Sequence, residues 1–149
     1  MDWTHFPRWI TASVADHFET QAICKTYLET DCKDIEKYSQ YLEVRVDGPY
    51  ITTPSKGTHY LKCPVNVLVS TKKVTTDVYA IHRLLGKVLN SFVQIPTYRY
   101  GELSIDDDSS IGCLNLIAEE QLILSHLGLV ERELYQGFVQ GIYKMEITE

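Results

Sequence analysis

The hydrophobic positions of this chain change period along its length. Ile10, Val14, Phe18 and Ala22 recur every fourth residue with Ala15 beside them, which predicts an amphipathic helix over about 6–27. Pro7 suits its first turn, where a missing N–H costs nothing. Residues 25–40 mix both charge signs and read as a solvated connection, with room for a short strand around Thr26–Leu28 or a helical turn around Ile35. The period then falls to two. Leu42, Val44 and Val46 alternate with Glu43, Arg45 and Asp47, as in a half-buried strand. Asp47-Gly48-Pro49 interrupts it, and Tyr50-Ile51 resume an extended path. Pro54-Ser55-Lys56-Gly57 is a turn signal, because proline presets φ and glycine supplies positive φ. Leu61, Cys63, Val65, Val67 and Val69 then share one face of a second strand, with Tyr60, Lys62, Asn66 and Ser70 on the other. Pro64 cannot donate to a ladder, so it marks an edge or a bulge. Together these predict a long β-hairpin over 41–71.

Helical spacing returns with Val78, Ile81, Leu84, Leu85, Val88, Leu89 and Phe92, predicting a helix over 76–91 that starts at Thr75-Thr76-Asp77. Gly86 lies inside it, and a close approach of helix to sheet would explain it. Residues 93–101 read as extended. The run from Glu102 to Ser110 holds Asp106-Asp107-Asp108, and 101–112 is expected to be a flexible acidic loop. Ile111–Ile117 reads as a strand. Leu122–Ser125 looks extended, although Ala118–Leu127 also fits a short helix, and Gly128 should break either. The closing stretch 133–148 has period two, with Tyr135, Gly137, Val139, Gly141, Tyr143, Met145 and Ile147 on one face and Leu134, Phe138 and Ile142 on the other. It is long for one strand, so a single bent strand or two strands with a glycine bend is expected, buried on both sides. The fold class is therefore α+β: one domain over 1–149, a mostly antiparallel sheet with a long hairpin, and two packing helices.

Composition narrows function by exclusion. With 149 residues the chain can bury one sizeable core. Its net charge of -6 disfavours a generic nucleic-acid binder, which needs clustered Lys and Arg. No apolar run is long enough for a membrane helix and the start Met-Asp-Trp-Thr-His-Phe-Pro has no secretory pattern, so a cytoplasmic origin is the default expectation. Cys24, Cys32, Cys63 and Cys113 show no C-x-x-C spacing and read as free, mostly buried thiols. The histidines are scattered, and His82, beside Arg83 and Lys87, reads as part of a solvated face. Asp106–Asp108 lacks the alternation and glycine of an EF-hand loop, and Glu119-Glu120 reads as a surface pair. Phosphate-loop, dinucleotide, nucleophile-elbow and zinc-protease motifs are all missing, so neither an enzyme nor a cofactor is expected. The ten tyrosines suit sheet faces that are dry on one side and wet on the other.

Several stretches resemble bacteriophage neck and tail-completion proteins, in particular the tail-terminator family. They are Trp3–Ile10, Leu42–Pro49, His59–Ser70 and Leu134–Glu146, in the order helix, hairpin, helix, further strands. The resemblance implies a structural virion protein, assembled in the bacterial host cytoplasm. Such proteins form a hexameric ring that caps the tail tube and joins it to a head-side connector or stopper, with DNA passing through the lumen. The family offers no motif residues to carry over. Six copies at -6 each would place a formal charge of -36 around that DNA, which favours sliding over gripping. A cyclic ring needs two unlike patches per subunit, and strands can supply them by pairing across the contact. The candidate subunit-interface residues are Tyr60, Lys62 and Asn66 of the hairpin and Tyr135, Phe138 and Tyr143 of the closing strand. Glu102, Asp106, Asp107 and Asp108 form the candidate partner-contact loop. The competing expectations are another neck part (a stopper, head-completion protein or tube-like subunit), a small cytosolic α+β enzyme or ligand-binding domain using acids near 102–120, and a host-encoded oligomeric regulator.

Overall fold

The computed structural model describes residues 3–21, 23–28, 38–72, 79–99, 110–117, 119–120, 122–131 and 134–148. These form two helices and eight strands in the order α1 (Phe6–Thr20), β1 (Lys25–Leu28), β2 (Gln40–Val46), β3 (Tyr50–Ser55), β4 (Thr58–Lys72), α2 (Ala80–Asn90), β5 (Ile95–Tyr98), β6 (Ser110–Leu116), β7 (Ile123–Glu131) and β8 (Leu134–Thr148). The strands make one curled, mostly antiparallel sheet, and the fold is α+β as the periodicities predict.

The spine of the sheet is the antiparallel ribbon β4–β8, paired without a break from Thr58↔Thr148 to Lys72↔Leu134. Along its β4 side lie β2 and then β3, and β1 adds to β2 in parallel. Along its β8 side lie β7 at one end and β6, followed by β5, at the other. Alternation sorts the residues onto two faces. Leu61, Cys63, Val65, Val67 and Val69 of β4 meet Leu42 and Val44 of β2 and Val139, Tyr143 and Met145 of β8 on the helix-side face, all buried. Helix α1 covers it with Phe6, Ile10, Val14 and Phe18, and α2 with Ile81, Leu84, Leu85 and Val88. Each such side chain contributes roughly 1.5–3 kcal/mol by leaving water. The His17 ring N–H donates to the Ser91 carbonyl at 2.8 Å and ties the end of α1 to the end of α2.

The predicted apolar stripe of α1 is the one observed, but the helix ends at Thr20, well short of Tyr27. The Thr20 hydroxyl bonds back to the Asp16 carbonyl. Beyond it, the β-branched and aromatic Ile23, Thr26 and Tyr27 suit a strand, and Lys25–Leu28 pairs with Tyr41–Val44. Tertiary pairing thus overrides a helical pattern that Ala22 alone was extending. The start signal at Thr75–Asp77 lies outside the described residues; the described part of α2 begins at Ala80 behind Tyr79.

The hairpin forms with its interruption intact. β2 and β3 both pair with β4, and Asp47-Gly48-Pro49 is the break between them. Gly48 has φ 84°, and a Cβ there would lie 2.7 Å from the Tyr50 nitrogen, so glycine is required. Pro64 sits opposite this break. Its carbonyl accepts the Asp47 N–H at 2.9 Å, and its missing donor falls where no ladder bond is needed. An inner strand therefore tolerates a proline.

Several expectations fail for identifiable reasons. The extended reading of Leu122–Ser125 holds from Ile123 onward and the alternative short helix does not form, but Gly128 does not end the segment: with φ 77° it sits at a register shift through which β7 continues to Glu131. The glycines of β8 do not divide it into two strands, since its pairing with β4 runs unbroken from Leu134 to Thr148. Gly137 and Gly141 lack side chains because Leu85, Phe92 and the neighbouring strand occupy that space. Burial of β8 is also one-sided, its outer face being half-buried or exposed. Finally, Gly86 has nothing within 4 Å of where its Cβ would be, so no close approach explains it. Gly86→Ala is therefore expected to stabilise the protein by about 1 kcal/mol, through helix propensity alone. Thermal unfolding checks this, and a lower melting temperature would contradict it.

Candidate assembly surfaces

The outer face of the sheet carries a row one residue wide. Tyr50, Lys62, Lys144 and Asn115 are successive cross-strand neighbours on β3, β4, β8 and β6. Two lysines directly opposite each other repel. Lys62 is partly offset by Glu120, whose Oε1 lies 3.2 Å from its Nζ, an exposed pair of small energetic value. One step toward the hairpin tip, Tyr60 stands between Thr52 and Glu146. These residues line an open groove of about 580 Å³.

Farther along the same face a second concavity, of about 390 Å³, is lined by Glu43, Arg45, Asp47, Asn66, Leu68 and Phe138. Within it, Arg45 Nε donates to Asp47 Oδ1 at 3.1 Å, and Asn66 Nδ2 donates to Asp47 Oδ2 at 3.4 Å.

The candidate interface residues divide. Tyr60 and Lys62 are exposed in the first groove, while Asn66 and Phe138 half-emerge in the second. Tyr135 is half-buried and packs against the core. Tyr143 is a correction. It is fully buried, its hydroxyl donates to the Val93 carbonyl at 2.9 Å, and its ring lies 6.2 Å from that of Phe92. Its position on the helix-covered face of β8 makes it a core residue, unavailable to a partner. Glu102, Asp106, Asp107 and Asp108 lie outside the described residues. The expected loop is shorter at its far end, because Ser110–Gly112 already belong to β6.

The periodicity did not mark one exposed apolar surface. Leu122, Ile123, Leu124, Leu127 and Leu129, in and just before β7, each keep 40–52% of their surface in water. β7 bonds to β8 on one side and to no described strand on the other. The available signal was an apolar run without alternation beside a glycine, which helix and strand readings share.

Burial pushes the Cys63 thiol up to about 12 and the Cys24 thiol up to about 11, the latter opposed by the Lys87 charge. Both are unreactive as nucleophiles near neutrality. Cys113 is half-buried, and Cys32 lies outside the described residues. Because both folded-state values lie above the ordinary 9.0, their contribution to stability is complete below about pH 9 and is lost as pH rises. Cys63→Ala should reduce this alkaline loss, read as the difference in urea midpoint between about pH 8 and pH 10. An unchanged pH dependence would contradict the assignment.

No protein-family model matches the chain, and no curated protein is significantly similar to it. Among the described residues, no helix is long and apolar enough to cross a membrane, and no three His, Cys, Asp or Glu side chains cluster as a metal site requires.

Proposed function

We propose that this chain is a structural subunit of a bacteriophage neck: a ring-forming tail terminator, hexameric, that caps the tail tube and joins it to the head-side connector. One observation carries the reading. An otherwise well-packed chain leaves five large apolar side chains exposed in and just before β7, whose far edge pairs with no described strand. Such an edge is an aggregation hazard unless something covers it in the working protein. The resemblance of Trp3–Ile10, Leu42–Pro49, His59–Ser70 and Leu134–Glu146 to tail terminators supplies the setting. The charge of -6 supports a lumen through which DNA slides without specific binding. The role places the protein in the virion and requires neither cofactor nor turnover. A stopper or tube-like subunit would use the same surfaces against a different neighbour.

Light scattering on the purified chain, with negative-stain imaging, is expected to show rings of six, formed alone or on tail tubes. Pull-down against tube protein and connector protein separates a terminator, which binds both, from a stopper. A chain that stays monomeric, binds neither and turns over a small molecule would overturn the reading.

A further inference from the structure

We infer that the subunits join by strand addition between unlike edges: Tyr50–Thr52 on β3 of one copy pairs with Ile123–His126 on β7 of the next. The inference rests on the self-assembling reading above and names the contact that makes it.

Among the described strands the sheet has four lateral ends, two on each side of the β4–β8 ribbon, and only two of these are unguarded. On the β4 side, β1 is four residues long and carries Lys25, which lies over the Tyr27 ring at 5.4 Å. Short length and a lysine both blunt an edge. On the β8 side, β5 contains Pro96, and the backbone N–H of Tyr98 is taken by the Ser13 hydroxyl of α1 at 3.0 Å. The remaining ends are β7 and the Tyr50–Thr52 stretch of β3, whose Pro54 lies beyond the regular pairing. β3 is exposed along its whole length, with Tyr50 at 60% and Ile51 at 42%. The open ends lie on opposite sides of the ribbon and at opposite ends of it, since β3 pairs near Thr58–Lys62 and β7 near Leu134–Gln140. Two different patches facing away from each other define a head-to-tail contact, the kind that closes into rings.

The occupant of β7 must be an extended strand. Ile123 stands opposite Gln140 and belongs to the outer face, while Leu124 stands opposite Val139 and belongs to the helix-side face. A helix laid on either face would cover one and leave the other wet, whereas an added strand covers both and supplies backbone partners. β3 has the matching pattern: Tyr50 opposite Lys62 on the outer face, Ile51 opposite Leu61 on the helix-side face. Neither stretch carries a charged lysine, arginine or carboxylate to resist pairing. The bulges of β7 begin after His126, and the irregularity of β3 begins after Thr52. The regular parts of the two edges are thus the parts named. Pairing β7 with itself would close a dimer and leave Tyr50 and Ile51 bare.

The test compares the full chain with Ile51→Lys, Leu124→Lys and their equimolar mixture by sedimentation velocity. Both sites are exposed, and thermal unfolding confirms that each variant folds; Ile51→Thr and Leu124→Thr replace them if it does not. The wild type should associate, and each variant alone should associate at least about tenfold more weakly. The mixture should give a discrete one-to-one dimer, because Ile51→Lys keeps a sound β7 and Leu124→Lys keeps a sound β3. Unimpaired association of the Ile51→Lys variant would overturn the β3–β7 contact while leaving a ring intact as a reading. The contact is overturned in the same way if no dimer forms in the mixture of two folded, monomeric variants. A wild type that stays monomeric at every concentration, with or without tail tubes, would overturn both.

Discussion

Replacing Gly137 by alanine is expected to lower stability by about 2–3 kcal/mol, a loss of roughly 5–10 °C in melting temperature for a chain of this size. The added Cβ would stand 2.8 Å from the Ser125 carbonyl oxygen of β7 and 2.9 Å from Cδ1 of Leu85. Leu85 is a rotatable side chain, although it is packed in the core. The Ser125 carbonyl belongs to a strand in register with β8 and cannot retreat without disturbing that ladder. Interiors packed to crystal-like density transmit such displacements instead of absorbing them. The half-buried Gly128, with φ 77° and open space where its Cβ would be, tests a different cost, that of backbone strain. The informative contrast is Gly86→Ala, the same chemical change predicted above to stabilise. A propensity argument alone gives no steric reason for the two glycines to differ; the surroundings of their missing Cβ atoms do. Urea denaturation of Gly137→Ala within about 0.5 kcal/mol of wild type would show that β7 can move away freely.

That contrast also explains what could be read from the sequence. Period-two alternation in Leu42–Val46 and Leu61–Val69 located β2 and β4, because one face is covered by helices and the other is not. The stripes Ile10–Val14–Phe18 and Ile81–Leu84–Leu85–Val88 located both helices for the same reason. What failed depended on neighbours distant in sequence. The end of α1 is set by pairing of Lys25–Leu28 with Tyr41–Val44, and the glycines of β8 by Leu85, Phe92 and β7. The candidate surface was legible by half. Alternation correctly placed Tyr60, Lys62 and Asn66 on the outer face. It could not tell that the other face of β8, with Tyr143, is roofed by α2, nor that β7 ends the sheet with nothing beyond it among the described strands. Edges are a property of strand order, and strand order is not written in local period.

Tyr143→Ala is expected to be the most damaging of these substitutions, costing about 4 kcal/mol. Tyr143 heads the largest fully buried side chains, and its truncation opens a cavity against Phe92 at the centre of the core. It also strands the Val93 carbonyl, which now accepts the phenol hydroxyl at 2.9 Å. Tyr143→Phe separates the two effects by keeping the ring and deleting the hydroxyl, with an expected loss of about 1 kcal/mol. Burial raises the Tyr143 pKa, so ionisation favours the unfolded chain. The sign follows: its contribution is whole below the ordinary value of 10.0 and is lost as pH climbs above it. Tyr143→Phe should therefore lose less stability than wild type between about pH 9 and pH 11, even though it begins less stable. A parallel pH dependence in the two proteins would mean that the phenol is reached by water in the folded state. That would reopen the face of β8 beneath α2 as a surface a partner could touch. Convergence of the two curves at high pH would fix Tyr143 as core, and leave the outer-face grooves and the β3 and β7 edges as the surfaces open to the proposed contact.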